Sequence, residues 1–258
     1  PFEKECCKRL RCDRLNDRKR FRETIESEKD FDVIVDFVAF SVENVRDVIV
    51  STKKTCHYTF ISTDSVHMAC LPPKDAKRAL REDDAVLGAK LSKRLRKIRG
   101  SYQIQYGLSK LQAEQYLRDE AKDRYTALRY GLLRFFISTT FDNNIKHTRR
   151  FPDVFGPHDN QDGFINTLQK LKSGDSIGRL ISRDTPQTQK SLSFVFVDDA
   201  VSAIMSAIKI GPISTSLNIC HDEHIEWTKF VEIMAASLSP PAISDIRWND
   251  KEEPEMIS

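Results

Sequence analysis

The chain has 258 residues, 40% of them apolar, enough for one large domain or a main domain with a small lobe. Its 41 basic and 38 acidic residues leave a formal charge of +3, a balance that neither selects nor excludes nucleic acid. No run of 18 apolar residues is present, which excludes a membrane-spanning helix. Six cysteines, at 6, 7, 12, 56, 70 and 220, show no paired ligand spacing and no disulfide-framework density. They read as reduced, intracellular thiols, with no metal site. A cytoplasmic place is expected. An organelle stays open, because the chain starts at Pro1 rather than Met and a targeting signal would lie ahead of it.

In chain order, residues 1–12 are basic and carry cysteines. Leu15 to Lys29 is charged and helix-like, with Phe21 and Ile25 four apart. Phe31 to Phe40 is a short β-branched apolar run, which suits a buried parallel strand. Ser41 is placed to cap the next helix, which Asn44, Val45, Val48 and Ile49 continue. His57 to Ile61 reads as a second strand, ending in the polar cluster Ser62-Thr63-Asp64-Ser65. Ligands of open α/β sheets bind at such strand ends. Residues 72–100 break the rhythm as a basic insertion. Lys74–Gly100 holds ten Lys/Arg and four Asp/Glu, a local net of +6. Within it, 90–99 is a basic amphipathic segment that suits RNA, a phosphate-bearing partner or an acidic membrane. As a plainer alternative, it is a solvated insertion.

Tyr106-Gly107-Leu108-Ser109-Lys110 then opens a helix expected to run to about Asp123. Tyr106 and Lys110, four apart, share one helix face. A lysine ammonium beside a phenol favours the phenolate, and a phenol so tuned exchanges a proton with a hydroxyl or carbonyl. Tyr125 to Arg129 reads as a strand, and 130–150 as an inserted loop. Arg150 to Pro157 reads as an extended piece into a turn, bracketed by prolines. Phe164 to Leu171 reads as a helix with Gly174 after its end, and Leu192 to Val197 as a strand. A helix capped by Asp198 and Asp199 follows, then a strand over Ser216 to Cys220 and a helix over Glu226 to Leu238. The last fifteen residues, with Trp248 among them, are expected to be loose.

Several segments, taken in this order, resemble the extended short-chain dehydrogenases/reductases, the NAD-dependent epimerase/dehydratase type. Asp13 sits where that family has an aspartate near the adenine ring. Asp36 to Phe40 resembles the strand end beneath the dinucleotide. Ile61 to His67 resembles the strand end carrying the catalytic Ser or Thr, and Tyr106 to Lys110 the catalytic pair. Arg150 to Pro157 resembles the segment behind the nicotinamide, and Phe196 to Ala200 the motif at the edge of the substrate lobe. The resemblance implies an α/β fold: an incomplete Rossmann-like parallel sheet over 1–160, and a small C-terminal substrate lobe with returning core elements (192–208) over 161–258. It implies NAD or NADP as cofactor, and a small-molecule substrate such as a nucleotide sugar with a reacting hydroxyl or carbonyl. A homodimer is a further expectation. Tyr106 is implied as general acid/base, with Lys110 tuning it and holding the nicotinamide ribose. Thr63 would orient the reacting oxygen. Asp64 would protonate a leaving hydroxyl, as in the sugar-nucleotide dehydratases, or cap local backbone. Asp13, Phe37, Ala39, Ser62, Tyr106, Lys110, Phe151 and Val154 would contact the cofactor.

The family opens with a glycine-rich turn for the pyrophosphate. Here the first glycine is Gly88, inside the basic insertion, so that segment is expected ahead of Pro1. The competing reading is a non-catalytic relative that binds RNA or a protein partner through 90–99.

Overall fold

The computed structural model describes residues 8–28, 30–70, 80–87, 102–130, 154–157, 163–178, 191–192, 194–222 and 225–249. The basic segment 90–99, most of the insertion 130–150 and Phe151 lie outside these. Two compact units are formed. The first takes Pro1–Ala69, Leu87–Ala127 and Ser206–Ser216; the second takes Cys70–Val86, Leu128–Met205 and Leu217–Ser258. Both are discontinuous in sequence.

The first unit begins with α1 (Arg18–Ser27), whose N-cap Asp17 accepts from the Arg20 amide. Phe21 and Ile25, one turn apart, pack on the core. From the same helix Arg18 reaches the buried Asp47 at 2.7 and 3.0 Å. Asp47 stands on α2 (Val42–Ser51), which Ser41 caps as its sequence implies, its Oγ accepting from the Asn44 amide at 3.4 Å. The carbonyls at the other end of α2 need donors. Arg124 supplies them, to Ile49 O at 2.6 Å and Lys53 O at 2.7 Å.

Strand β1 (Val33–Asp36) pairs in parallel with β2 (His57–Thr63), Val33 opposite His57 and Asp36 opposite Phe60. The sheet continues through β3 (Tyr125–Tyr130) to β8 (Ser216–Ile219), in the order β1-β2-β3-β8. The core of this unit joins Val45, Val48 and Ile49 of α2 to Tyr58, Phe60 and Tyr125 of the strands. Ala113 and Leu117, on and just after α3 (Tyr102–Tyr116), close it from the helix side. The helix starts one turn before Tyr106 and ends in a wider turn, Leu117–Ala121.

The apolar run Phe31–Phe40 does not form one buried strand. Only four of its residues pair, at the edge of the sheet, and Phe37, Val38 and Phe40 are 59%, 52% and 46% exposed. The cause is Asp36. Its carboxylate is buried at the strand's end, where Arg14 grips it bidentately at 2.8 and 2.9 Å and the Tyr58 hydroxyl donates to it at 2.8 Å. The Val38 amide donates to it as well, at 3.1 Å, which turns the chain out of the sheet.

The second unit holds β4 (Val154–Phe155), α4 (Gly163–Ser173) and β5 (Ser176–Gly178). Gly174 follows α4 at φ +71°, the left-handed conformation expected after a helix end. The expected strand over Leu192–Val197 is two short pieces, β6 (Ser191–Leu192) and β7 (Val195–Phe196), the second parallel to β4. Helix α5 (Val197–Ile210) carries Asp198 and Asp199 in its first turn, where carboxylates oppose the helix dipole. Strand β9 (Ile225–Glu226) leads into α6 (Trp227–Ala236). The tail is not wholly loose: β10 (Arg247–Asn249) pairs in parallel with β5, and Trp248 packs on the cluster of Trp227, Phe230 and Val231. An aromatic ring with an apolar cluster within reach outweighs the acidic, proline-bearing composition around it. Among the described residues no helix is long and apolar enough to cross a membrane.

Removing the Asp36 carboxylate leaves the Arg14 guanidinium buried without its partner. Asp36→Ala should cost about 3 kcal/mol in urea unfolding. Burial pushes the Asp36 carboxyl up, but Arg14, Tyr58 and the Val38 amide hold it below its ordinary value. Its stabilisation is therefore full above the unfolded carboxylate range, about pH 4, and is lost as pH falls through the folded value. Asp36→Asn should flatten that acid limb of the stability curve.

Candidate functional site

The site lies where α3 crosses the carboxyl end of β2. Strand β2 alternates buried polar and aromatic side chains up to Ile61 and then delivers Ser62 and Thr63, both buried. The chain turns at once into a 3-10 segment, Asp64–Ala69. Thr63 Oγ1 donates to Asp64 Oδ1 at 3.3 Å and accepts from the Ser65 amide at 3.2 Å. Ser65 Oγ also donates to Asp64 Oδ1, at 3.4 Å. Asp64 thus accepts from the hydroxyls of both residues that flank it.

Helix α3 packs against this turn without a side chain between them. A Cβ on Gly107 would stand 2.0 Å from the Ser65 carbonyl oxygen, so only glycine lets the two backbones approach this closely. The contact sets the height of Tyr106, one residue before, and of Lys110, one turn after. Lys110 is 1% exposed, and its Nζ donates to the Ile61 carbonyl at 2.7 Å. Three rings surround the ammonium: Phe60 at 4.7 Å, Phe40 at 5.3 Å and Tyr106 at 5.7 Å to the centroids. Burial pulls the Lys110 pKa down to about 8; the charges of Asp36 and Glu114 oppose this, and that of Arg14 adds to it. The half-buried Tyr106 ring lies 6.1 Å from that of Phe40.

The structure therefore brings together Tyr106, Lys110, Ser62, Thr63 and Asp64, with Phe40 beside them. Ala39 is fully buried and Phe37 exposed on the same strand-end loop. Asp13 is exposed and occupied locally. Its carboxylate caps a turn through Asn16 Nδ2 and the amides of Leu15 and Asn16, which hold its pKa below the ordinary value. Val154 belongs to the second unit, paired with Val195. Among the described residues no three His, Cys, Asp or Glu side chains gather as metal ligands would.

Four residues of this site escaped the sequence reading as functional positions: Arg14, Asp36, Gly107 and Glu114. Asp36 carried a signal, as the acid that ends the β-branched stretch Val33-Ile34-Val35. Glu114 carried another, as the third polar residue at a four-residue interval after Tyr106 and Lys110.

No family model and no curated protein matches the chain. Solved structures do share its fold. It is similar to a dTDP-glucose 4,6-dehydratase from Bacillus anthracis in complex with NAD, with a TM-score of 0.58 and 16% identity, over 91% of this chain and 66% of that one. A UDP-N-acetylglucosamine 4-epimerase from Bacillus cereus matches at a TM-score of 0.56 and 11% identity, over 91% and 73%. A UDP-glucose 4-epimerase from Thermus thermophilus in complex with NAD matches at 0.54 and 16%, over 88% and 68%. The chain thus spans about two-thirds of the length of the first of these structures. The Rossmann-like α/β fold expected from the sequence is the fold they share.

Two outcomes test the packing. Alanine ordinarily favours a helix over glycine by about 1 kcal/mol. Gly107→Ala should instead destabilise by about 2 kcal/mol or more, because a backbone oxygen cannot give way. Lys110 makes stability rise with pH between about 8 and its ordinary 10.5, where the unfolded chain holds the proton and the folded one does not. Lys110→Met should abolish that rise in denaturation curves taken across the interval.

Proposed function

We propose that this chain performs NAD(P)-dependent chemistry on a hydroxyl- or carbonyl-bearing carbon of a nucleotide sugar, of the epimerase, dehydratase or reductase kind. One observation carries the reading. The tyrosine and lysine of α3 stand one turn apart, and the lysine is buried against the end of β2 beside Thr63. The shared fold with enzymes that act on nucleotide sugars supports it.

The residues present fit the reactive end of a dinucleotide. Lys110 spends one of its three donors on Ile61 O, leaving two for ribose hydroxyls. Phe37 and Phe40 offer apolar surface over a buried Ala39. The hydroxyl of Ser62 is engaged by Glu114, so a contact from Ser62 would come through its backbone. Asp13 would approach the adenine. The diphosphate end has no counterpart in this sequence, whose first glycine is Gly88.

A bound nicotinamide would supply hydride transfer at the carbinol carbon. The protein supplies the proton handling. Tyr106 Oη takes the proton of the reacting hydroxyl and returns it in the reverse direction. The Lys110 ammonium beside the ring favours the phenolate that this step needs. Thr63 Oγ1 exchanges its long bond to Asp64 for one to the substrate oxygen and orients it. Asp64, still held by Ser65 Oγ, stands next to the site as the acid for a leaving hydroxyl.

Incubated with NAD or NADP and a panel of UDP- and dTDP-linked sugars, the chain should convert at least one, read by product chromatography. Tyr106→Phe should lower that turnover about 10³-fold with the fold intact by circular dichroism. Undiminished turnover in this variant would remove the catalytic assignment.

A further inference from the structure

Glu114 is 1% exposed, on α3, one turn beyond Lys110 and two beyond Tyr106. A carboxylate is costly at that depth unless hydrogen bonds and charges answer it. Two serines from different strands do so. Ser62 Oγ, on β2, donates to Oε1 at 2.5 Å, and Ser216 Oγ, on β8, donates to Oε2 at 2.9 Å. The neighbouring residues of β2 are the ones that matter chemically. Ile61 holds the Lys110 ammonium through its carbonyl, and Thr63 ends the strand. Helix α3 is thus tied to the end of β2 at two consecutive turns, once by lysine to carbonyl and once by serine to carboxylate.

We propose that Glu114 is a positioning residue, whose carboxylate locks α3 to the ends of β2 and β8 and so holds Tyr106, Lys110 and Thr63 in one register. This rests on the reading of Tyr106 and Lys110 as the proton-transferring pair. An apolar residue of the same size would fill the space but leave two buried hydroxyls without an acceptor. It would also remove a negative charge that, with Asp36, favours the protonated Lys110. The other charged or titratable groups around the ammonium are Arg14, paired with Asp36 on β1, and the phenol of Tyr106 on α3 itself. Tyr58 lies on β2, and Asp64 and His67 lie on the turn packed against α3. Of the two carboxylates that favour the charged amine, Glu114 is the one on the helix that carries it.

The test reads Lys110 directly, so it stands apart from whether any sugar is turned over. In the full chain labelled with [ε-13C]lysine, the Lys110 signal, assigned by its loss in Lys110→Met, is titrated by NMR. Glu114→Gln keeps the shape and removes the charge. It should lower the Lys110 midpoint by at least about half a pH unit, whereas Glu114→Asp, which keeps the charge, should leave it within a few tenths of wild type. A purely structural glutamate would change unfolding midpoints alone. An unmoved Lys110 midpoint in a folded Glu114→Gln protein overturns the proposal. Should Glu114→Gln not fold, a drop of more than half a unit in Glu114→Asp overturns it equally, since the charge would then not be the cause. If turnover is found, Glu114→Gln should also shift the pH profile of kcat in the same direction with KM little changed.

Discussion

The ammonium of Lys110 sits almost out of reach of solvent, held by one backbone carbonyl and ringed by three aromatic side chains. Burying such a charge costs several kcal/mol even after relaxation. The bond to Ile61 O returns about 1.5–3 kcal/mol, as hydrogen bonds to charged groups do, and the rings add less. Burial accordingly pulls the Lys110 pKa down to about 8. Against an ordinary 10.5, that is a bias of about 3 kcal/mol toward the neutral amine. A methionine there would be cheaper for folding. A lysine kept at such cost, one turn from a tyrosine and held by the end of β2, is a candidate functional group.

The surroundings of β1 and β2 are arranged to tolerate it. Asp36 terminates β1, is paired with Arg14, accepts from the Tyr58 hydroxyl, and still exerts its charge on Lys110. Glu114 ties the helix to two strands from the other side. Gly107 removes the one side chain that would hold α3 away from the turn after β2. Each device acts on the same short distance, that between the helix face and the end of β2. Around it the core is ordinary: Val45, Val48 and Ile49 against Tyr58, Phe60 and Leu117.

What could be read from the residues follows from which interactions are local. The Ser41 cap, the Gly174 stop and the apolar stripe of α2 depend on neighbours within one or two turns, and all three stand as their sequence implies. So does the shared face of Tyr106 and Lys110. Interactions between distant segments were less legible. Nothing near Arg14 in sequence shows that it will close on Asp36, 22 residues away. Glu114 meets Ser216 across 102 residues. The exposure of Phe37, Val38 and Phe40 was missed because β-branched composition reports burial only when both strand edges and faces are covered. In the tail, composition spoke for disorder, while a single tryptophan found a cluster to join.

The central claim is that one point at the end of β2 is addressed at once by the tyrosine, the lysine and the threonine. Its most direct test is a crystal structure of the chain soaked with NAD and UDP. The account predicts ribose density against Lys110 Nζ, with Tyr106 Oη and Thr63 Oγ1 both within about 3 Å of a single position where a substrate oxygen fits. Ligand density elsewhere, or those two hydroxyls on opposite sides of the strand end, would contradict it.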